Sequence, residues 1–437
     1  MRTSLSFFAG LLLAGCFSAY AQRIEPDVLQ RAISTVQDQL ENLTPKVTPT
    51  ASSQIKLGGF VRTDVIFATR QNQAGAEGLY TYYPLPKALD AEGRDINAAS
   101  SANVLALTSR LTATYTGQTV SGIKTRAYVE ADFGSNLIGN GAVFRLRQAY
   151  MELQWEHASL LLGQTWHPLS AAVIPVTLDL NTGSPIRPFN RSPQLRYKYT
   201  PGDVSFTVAA VFQHSYLSAG PDGASSKYLR NSSLPDFVAG AEWQVTDQLA
   251  WGVMGETKAL KPRLSTTGAL GTFKTDETIR TYTGQTWLQY IEGDFTMKAA
   301  ALYAQNMNDA QMIGGYAVAT QDVLTGKETY TPTQHLNYWM MLQYGRQLKA
   351  GLYAGYLKSL GTVDPAEGEF YGRACNMESM FRLAPRLYYN VGNLQLAGEV
   401  EWDHAVFGNI VPGSKGDIVN TNDVDGVKVD VAVTFMF

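Results

Sequence analysis

Over its last eleven residues the chain alternates between apolar and polar positions almost without a break. Val427, Val429, Val431, Val433, Phe435 and Phe437 fall on one parity, and Lys428, Asp430, Ala432, Thr434 and Met436 on the other. A period of two predicts a β-strand with two unlike faces. An outward apolar face, an inward polar face and a terminal Phe suit the strand that closes a barrel in a bilayer. Upstream, Leu394, Leu396, Val400 and Trp402 alternate with Gln395, Glu399 and Glu401. Ile123, Ala127, Val129 and Phe133 alternate with Lys124, Arg126, Glu130 and Asp132. The pattern is less clean at 279–303. Between 143 and 155 it changes phase, because Arg145 and Arg147 share a parity that Glu152 and Gln154 do not. A bulge, or another register, accounts for that.

The connections carry a second pattern. Tight turns are predicted at 117–122, 156–157, 201–203, 246–247, 292–294, 347–348 and 392–393, most of them rich in turn formers. Long segments lie near 70–103, 135–142, 166–192, 215–236, 259–279, 305–334, 359–377 and 405–425. Seven short connections alternating with eight long ones require sixteen strands, with both chain ends on the short-turn side. The expected fold is therefore all-β, a transmembrane antiparallel 16-stranded β-barrel over 53–437. An eighteen-stranded barrel is the alternative if one long loop hides a hairpin. Trp155, Tyr197, Tyr199, Tyr344 and Phe437 sit beside the short turns, where an aromatic girdle belongs.

The N-terminal residues follow other rules. Arg2, the apolar run 5–17 and Ala19-Tyr20-Ala21 read as a signal peptide over 1–21, too short to span a bilayer as a helix of about 20 residues. Leu13-Ala14-Gly15-Cys16 also has the form of a lipobox, so the processing site is open between Cys16 and Ala21. In 22–52, Leu29, Ile33, Val36, Leu40 and Leu43 follow a 4-3-4-3 rhythm, predicting a short periplasmic coiled-coil helix followed by a Pro/Thr/Ser linker. A single amphipathic helix lying on the domain is the other reading.

Composition adds little. The mean hydropathy of −0.13 suits alternating faces as well as it suits a soluble protein. A net charge of −3 points to no nucleic-acid partner. Two cysteines, one of them in the leader, leave Cys375 as a free loop thiol. No enzyme signature is present, the five histidines lack metal-ligand spacing, and no cofactor is expected.

The candidate chemistry is cationic. Arg62, Arg110, Arg126, Arg145, Arg147, Arg196, Lys198, Arg382 and Arg386 fall on inward positions, opposed by Asp64, Glu130, Asp132, Glu399, Glu401 and Asp430. Most of the arginines cluster in the first six strands and several acids in the last two, which predicts a transverse field favouring small anionic solutes. Opposite charges that pair across a wide lumen are the structural alternative. The third long loop, His167 to Ser192, is too apolar for a solvent loop. Folding into the barrel would bring Arg187 and Arg191 to a constriction; an apolar loop packed under its neighbours at the mouth is the alternative.

The segments IKLGGFVRTDVIFATRQ (55–71) and YVEADFG…FRLRQAYMELQW…LLLGQTWHPL (128–169) resemble the DcaP-like outer-membrane porins. These are similar in turn to the wider group that includes phosphate-selective channels. The resemblance covers strands one to five. It implies a homotrimer of sixteen-stranded barrels in the outer-membrane lipid of a Gram-negative bacterium, with a periplasmic N-terminal coiled coil. It also implies a preference for anions such as dicarboxylates, with Arg62, Arg110, Arg126, Arg145 and Arg147 along the path. Arg187, Arg191 and Arg382 rest on the parity and loop reasoning alone.

Overall fold

The computed structural model describes residues 54–134 and 143–437. The signal peptide, the coiled-coil helix and most of the second long loop lie outside the described residues. The described chain forms sixteen antiparallel staves. They are β1 (Gln54–Ala68), β2 (Ser101–Leu105 continuing as Arg110–Thr116), β3 (Lys124–Asp132), β4 (Arg145–Gln154), β5 (Ala158–Trp166), β6 (Arg191–Tyr199), β7 (Val204–Val211) and β8 (Asp236–Gln244). There follow β9 (Leu249–Leu260), β10 (Ile279–Glu292), β11 (Phe295–Gln305), β12 (Glu328–Gly345), β13 (Leu348–Thr362), β14 (Met377–Val391), β15 (Leu394–Ile410) and β16 (Ile418–Met436). Each pairs with its sequence neighbour, and β16 returns to β1 with Val65 opposite Val431. All seven tight turns stand where turn chemistry predicted them. Those at 293–294 and 392–393 use Gly293 and Gly392 at positive φ, a conformation that favours glycine.

Closure settles the strand number. Hairpins do occur inside the long loops, at Asn72–Gly75 with Tyr80–Pro84 and at Ser265–Gly268 with Gly271–Lys274, but neither enters the barrel. The eighteen-stranded alternative is thereby corrected to sixteen. The phase change in β4 is a bulge: Glu130 pairs Gln148, whereas the next residue, Ala131, pairs Leu146. Arg145 and Arg147 before it, and Glu152 after it, therefore all point inward.

The outer face is apolar. On β16, Val431 is 48% exposed, Val433 45% and Phe435 51%, while Lys428, Asp430 and Ala432 are buried. Trp155, Tyr197, Tyr199, Tyr344 and Phe437 are all exposed near the short turns, joined by Trp243 and Trp251, which pair across β8 and β9. Such a face is stable in hydrocarbon and costly in water.

The inner face is not uniformly polar. Trp287 on β10, Ala300 on β11, Trp339 and Met341 on β12, Tyr353 and Leu357 on β13 and Ala384 on β14 are inward and buried in one cluster. This explains the blurred alternation at 279–303: apolar residues occupy both faces there. What they bury against is the third loop.

Candidate functional site

The third long loop, L3 (167–190), begins with a one-turn helix, Pro168–Ala171. His167 caps it, its Nδ1 accepting from Leu169 N at 3.3 Å. Leu169, Val173, Leu178 and Ile186 are almost wholly buried, and they pack on the inward apolar side chains of the barrel. Burial of four such side chains drives the loop inside, at about 1.5–3 kcal/mol each when complete. The apolar content that predicted an inward loop is thus the cause of it.

Polar contacts then fix the loop to walls on several sides. Arg62 on β1 donates to Leu178 O at 2.9 Å, Lys298 on β11 to Ile174 O at 3.0 Å and Tyr353 on β13 to Gly183 O at 3.3 Å. Glu399 on β15 accepts from the backbone of both Leu178 and Asp179 at 2.9 Å, and Lys428 on β16 binds the Asp179 carboxylate. The first long loop, L1 (69–100), folds in beside it: Thr81 donates to Asp179 at 3.2 Å, and Tyr80, Tyr82 and Tyr83 are buried. Burial pushes the Tyr83 phenol up to about 12, so it stays neutral.

Three of the arginines read from the sequence belong to this anchoring and not to an open surface. Arg187 is 1% exposed, Arg191 2% and Arg382 0%. Arg187 ties the loop to itself through Ser170 O and the Thr182 hydroxyl, and burial lowers it to about 10. Arg191 lies over the rings of Trp166, Phe189 and Tyr216, with centroids 4.7–5.4 Å away. Arg382 binds Asp403 at 2.7 and 2.8 Å and Glu401 at 3.2 Å, and donates to Ser184 O in L3 and Tyr82 O in L1. The expectation that they line the lumen is corrected. A loop folded inward covers what would otherwise have been its surface.

The other five stay on the β1–β4 wall, largely paired within it. Arg62 binds Asp64. Arg110, Arg145 and Arg147 share Glu130 and Asp132, Arg147 most closely at 2.6 and 2.9 Å and Arg110 at 3.7 Å from each. Arg126 approaches Glu152 at 3.9 Å and keeps 40% of its side chain exposed. On β6, Lys198 lies 4.0 Å from Glu242. The Arg196 side chain beside it makes no hydrogen bond and no ion pair within 4 Å among the described residues, but it interacts electrostatically with Glu152. Arg196, Lys198, Glu152 and Glu242 line a cavity of about 210 Å³ directly against Pro168, Ala171 and Ala172 of L3. Basic groups therefore outnumber acidic ones on the β2–β6 wall. The opposite wall is more acidic, but Arg382, Arg386 and Lys428 interrupt its acids, so the field is weaker than two single-sign walls would give.

Several groups at this site escaped the sequence reading because loops bring them there. Asp179 is one. Another is a buried set around Lys258, which binds Asp309 at 2.6 Å and Glu256 at 3.5 Å. His167 lies 3.6 Å from Glu256. That separation suggests an ion pair, yet burial holds the imidazole down to about 3 despite Asp309, and it is neutral. His167, in L3, and His335, on β12, are both buried. Among the described residues, His404, Asp423 and Asp425 bring ligand atoms within 4.8 Å of one another, but they are half-exposed and Asp425 already accepts from Trp402. Cys375 is free, and burial raises its thiol to about 12.

A closed sixteen-stranded barrel, apolar outside, charged inside and narrowed by its third loop, is the fold of the porins. Solved structures agree. The outer membrane channel DcaP of Acinetobacter baumannii superposes with a TM-score of 0.64 at 18% identity, over 89% of this chain and 99% of that one. OmpT of Vibrio cholerae, an outer-membrane protein, gives 0.53 at 10% identity, over 90% and 100%. A trimer form of in-vitro folded OmpT gives 0.52 at 10%, over 88% and 99%. No protein-family model matches the chain, and no curated protein matches it in sequence.

Proposed function

We propose that this chain is an outer-membrane porin of a Gram-negative bacterium, passing small hydrophilic anions, carboxylates and dicarboxylates among them, by diffusion. It works without cofactor or catalysis, and three copies associate as in the trimer form of OmpT. The carrying observation is the excess of guanidinium on the β2–β6 wall facing the inward loop. The groups that keep contact with water there are chiefly basic: Arg126, Arg145 and Lys198 are 40%, 23% and 44% exposed. In a narrow passage each charge is felt more strongly than in bulk water, while a solute held by a few exposed groups can still leave. The N-terminal heptads serve as a periplasmic tether between barrels.

The test is the reversal potential of the purified protein in a planar bilayer under a KCl gradient. Wild type is expected to prefer chloride. Replacing Arg110, Arg126 and Arg145 together with Gln is expected to move the potential toward cation preference, each single change being worth about 1 kcal/mol or less. Cation preference in the wild type, or an unmoved potential in the triple variant, leaves a general diffusion pore.

A further inference from the structure

Glu399 on β15 stands directly opposite Arg386 on β14, and both are inward and buried. An acid and a guanidinium in that relation ordinarily form a cross-strand ion pair. Here they interact electrostatically but make no ion pair within 4 Å. Glu399 is drawn instead to L3, one oxygen accepting from Leu178 N and the other from Asp179 N, each at 2.9 Å. Arg386 is left behind. It is 3% exposed, and its Nε, Nη1 and Nη2 are all buried without a hydrogen-bond partner among the described residues. Its guanidinium lies across Gly351 on β13, where an added Cβ would meet Cζ, Nη2 and Nε at 2.7–2.8 Å. A buried guanidinium without a partner is costly, so the seated loop is stabilised at Glu399 and destabilised at Arg386. The same holds on the other side of Glu399. Arg62 donates to Leu178 O at 2.9 Å, and 3.9 Å from it stands Asp430, whose two carboxylate oxygens have no hydrogen-bond partner among the described residues. Leu178 is thus held at its N–H and at its C=O by side chains that have other partners on the wall.

We infer that Glu399 is a two-position latch that sets where the middle of L3 lies. In one position it holds the amides of Leu178 and Asp179. In the other it pairs with Arg386, Arg62 turns to Asp430, and the segment 178–179 lifts off the wall. The far end of the loop stays in place, because Arg382 still holds Ser184 O. Lifting uncovers Leu178, which is 2% exposed, and gives up the contact of Asp179 with Lys428, so the lifted state is the minor one. The pore therefore has a second, wider state, and Arg386 sets its population by binding Glu399 in that state alone. This deepens the porin reading and rests on it.

Single-channel recording of the purified protein in a planar bilayer under symmetric KCl tests the latch. Wild type is expected to show, besides the main level of each barrel, a brief larger one. Arg386→Met keeps a long side chain over Gly351 and removes the competing partner. The share of time spent in the larger level is expected to fall about tenfold, as for the loss of one charge-assisted hydrogen bond. Because the guanidinium has no partner to lose, the same variant is expected to be at least as heat-stable as wild type. In a Cys375→Ser background, a disulfide between Leu178→Cys and Ala432→Cys, two positions of one buried cluster, is expected to abolish the larger level until it is reduced. A single level in wild type, a larger level that persists through Arg386→Met or through the disulfide, or a less heat-stable Arg386→Met overturns the latch, while conduction through the main level leaves the porin reading intact. A purified protein that passes no current overturns the porin reading itself.

Discussion

At the scale of single residues, the arginines divide by what covers them. Arg382 shows one extreme. Its guanidinium is enclosed by Asp403, Glu401 and two loop carbonyls, so the two acids depend on it. Removing one partner of a buried ion group costs about 3–5 kcal/mol, because the uncompensated charge stays behind. Arg382→Gln should accordingly lower the heat stability of the folded barrel far more than Arg126→Gln, whose side chain is 40% exposed. Semi-native electrophoresis against temperature would measure the difference. Adding Asp403→Asn to the Arg382 variant should recover part of the loss, since the pair is coupled. Parity placed Arg382 and Arg126 alike on the inner face. It could not separate them, because alternation reports which side of a strand a residue faces and nothing of the loop that later covers it. Asp179 and Glu399 illustrate this: their contact joins positions far apart in the chain through two backbone amides.

At the scale of elements, L3 is the part whose behaviour depends on conditions. His167 caps its first turn and is buried neutral, its pKa lowered from the ordinary 6.5 to about 3. A group whose folded pKa lies below its unfolded one leaves stability full above pH 6.5. Stability then falls as the pH drops toward 3, by at most about 1.4 kcal/mol per pH unit. L3 should therefore loosen in that window, read as larger current fluctuations or faster proteolytic cutting within 167–190. His167→Asn keeps a capping side chain without the titration and should flatten the response; an identical response in the variant would rule His167 out as its source. Much of the element scale was legible in the chain. The β4 bulge announced itself through the mismatch of Arg147 and Glu152, and the inward loop through its apolar content. The inward apolar patch on β10–β14 was not, since a period-two pattern with apolar residues on both parities assigns neither face.

At the scale of the whole molecule, the alternation of tight turns and long loops fixes topology. Epitopes placed in 215–236 or 305–334 should be reachable on intact cells, and epitopes at 201–203 or 292–294 should not; the reverse result would invert the barrel. Two heptads are marginal as an independent coiled coil. Deleting 22–48 should thus leave trimers that dissociate at lower temperature, whereas monomers in mild detergent would make the helix the driver of assembly. The architecture was readable because closing a barrel demands an even, regular rhythm, and rhythm is what a sequence displays. The seam between β1 and β16 has a different kind of consequence. Its partners, such as Val65 and Val431, stand almost the whole chain apart, while Gly59 and Phe437 exchange two backbone hydrogen bonds of 3.1 Å. Contacts of such high order form late, after the local hairpins have shortened the loop to be closed. Until then both edge strands offer unpaired backbone to any neighbour, so the unclosed sheet is the aggregation-prone species. In a Cys375→Ser background, a cross-link between Val65→Cys and Val431→Cys should appear later during refolding than one between Leu387→Cys and Gly398→Cys on adjacent strands.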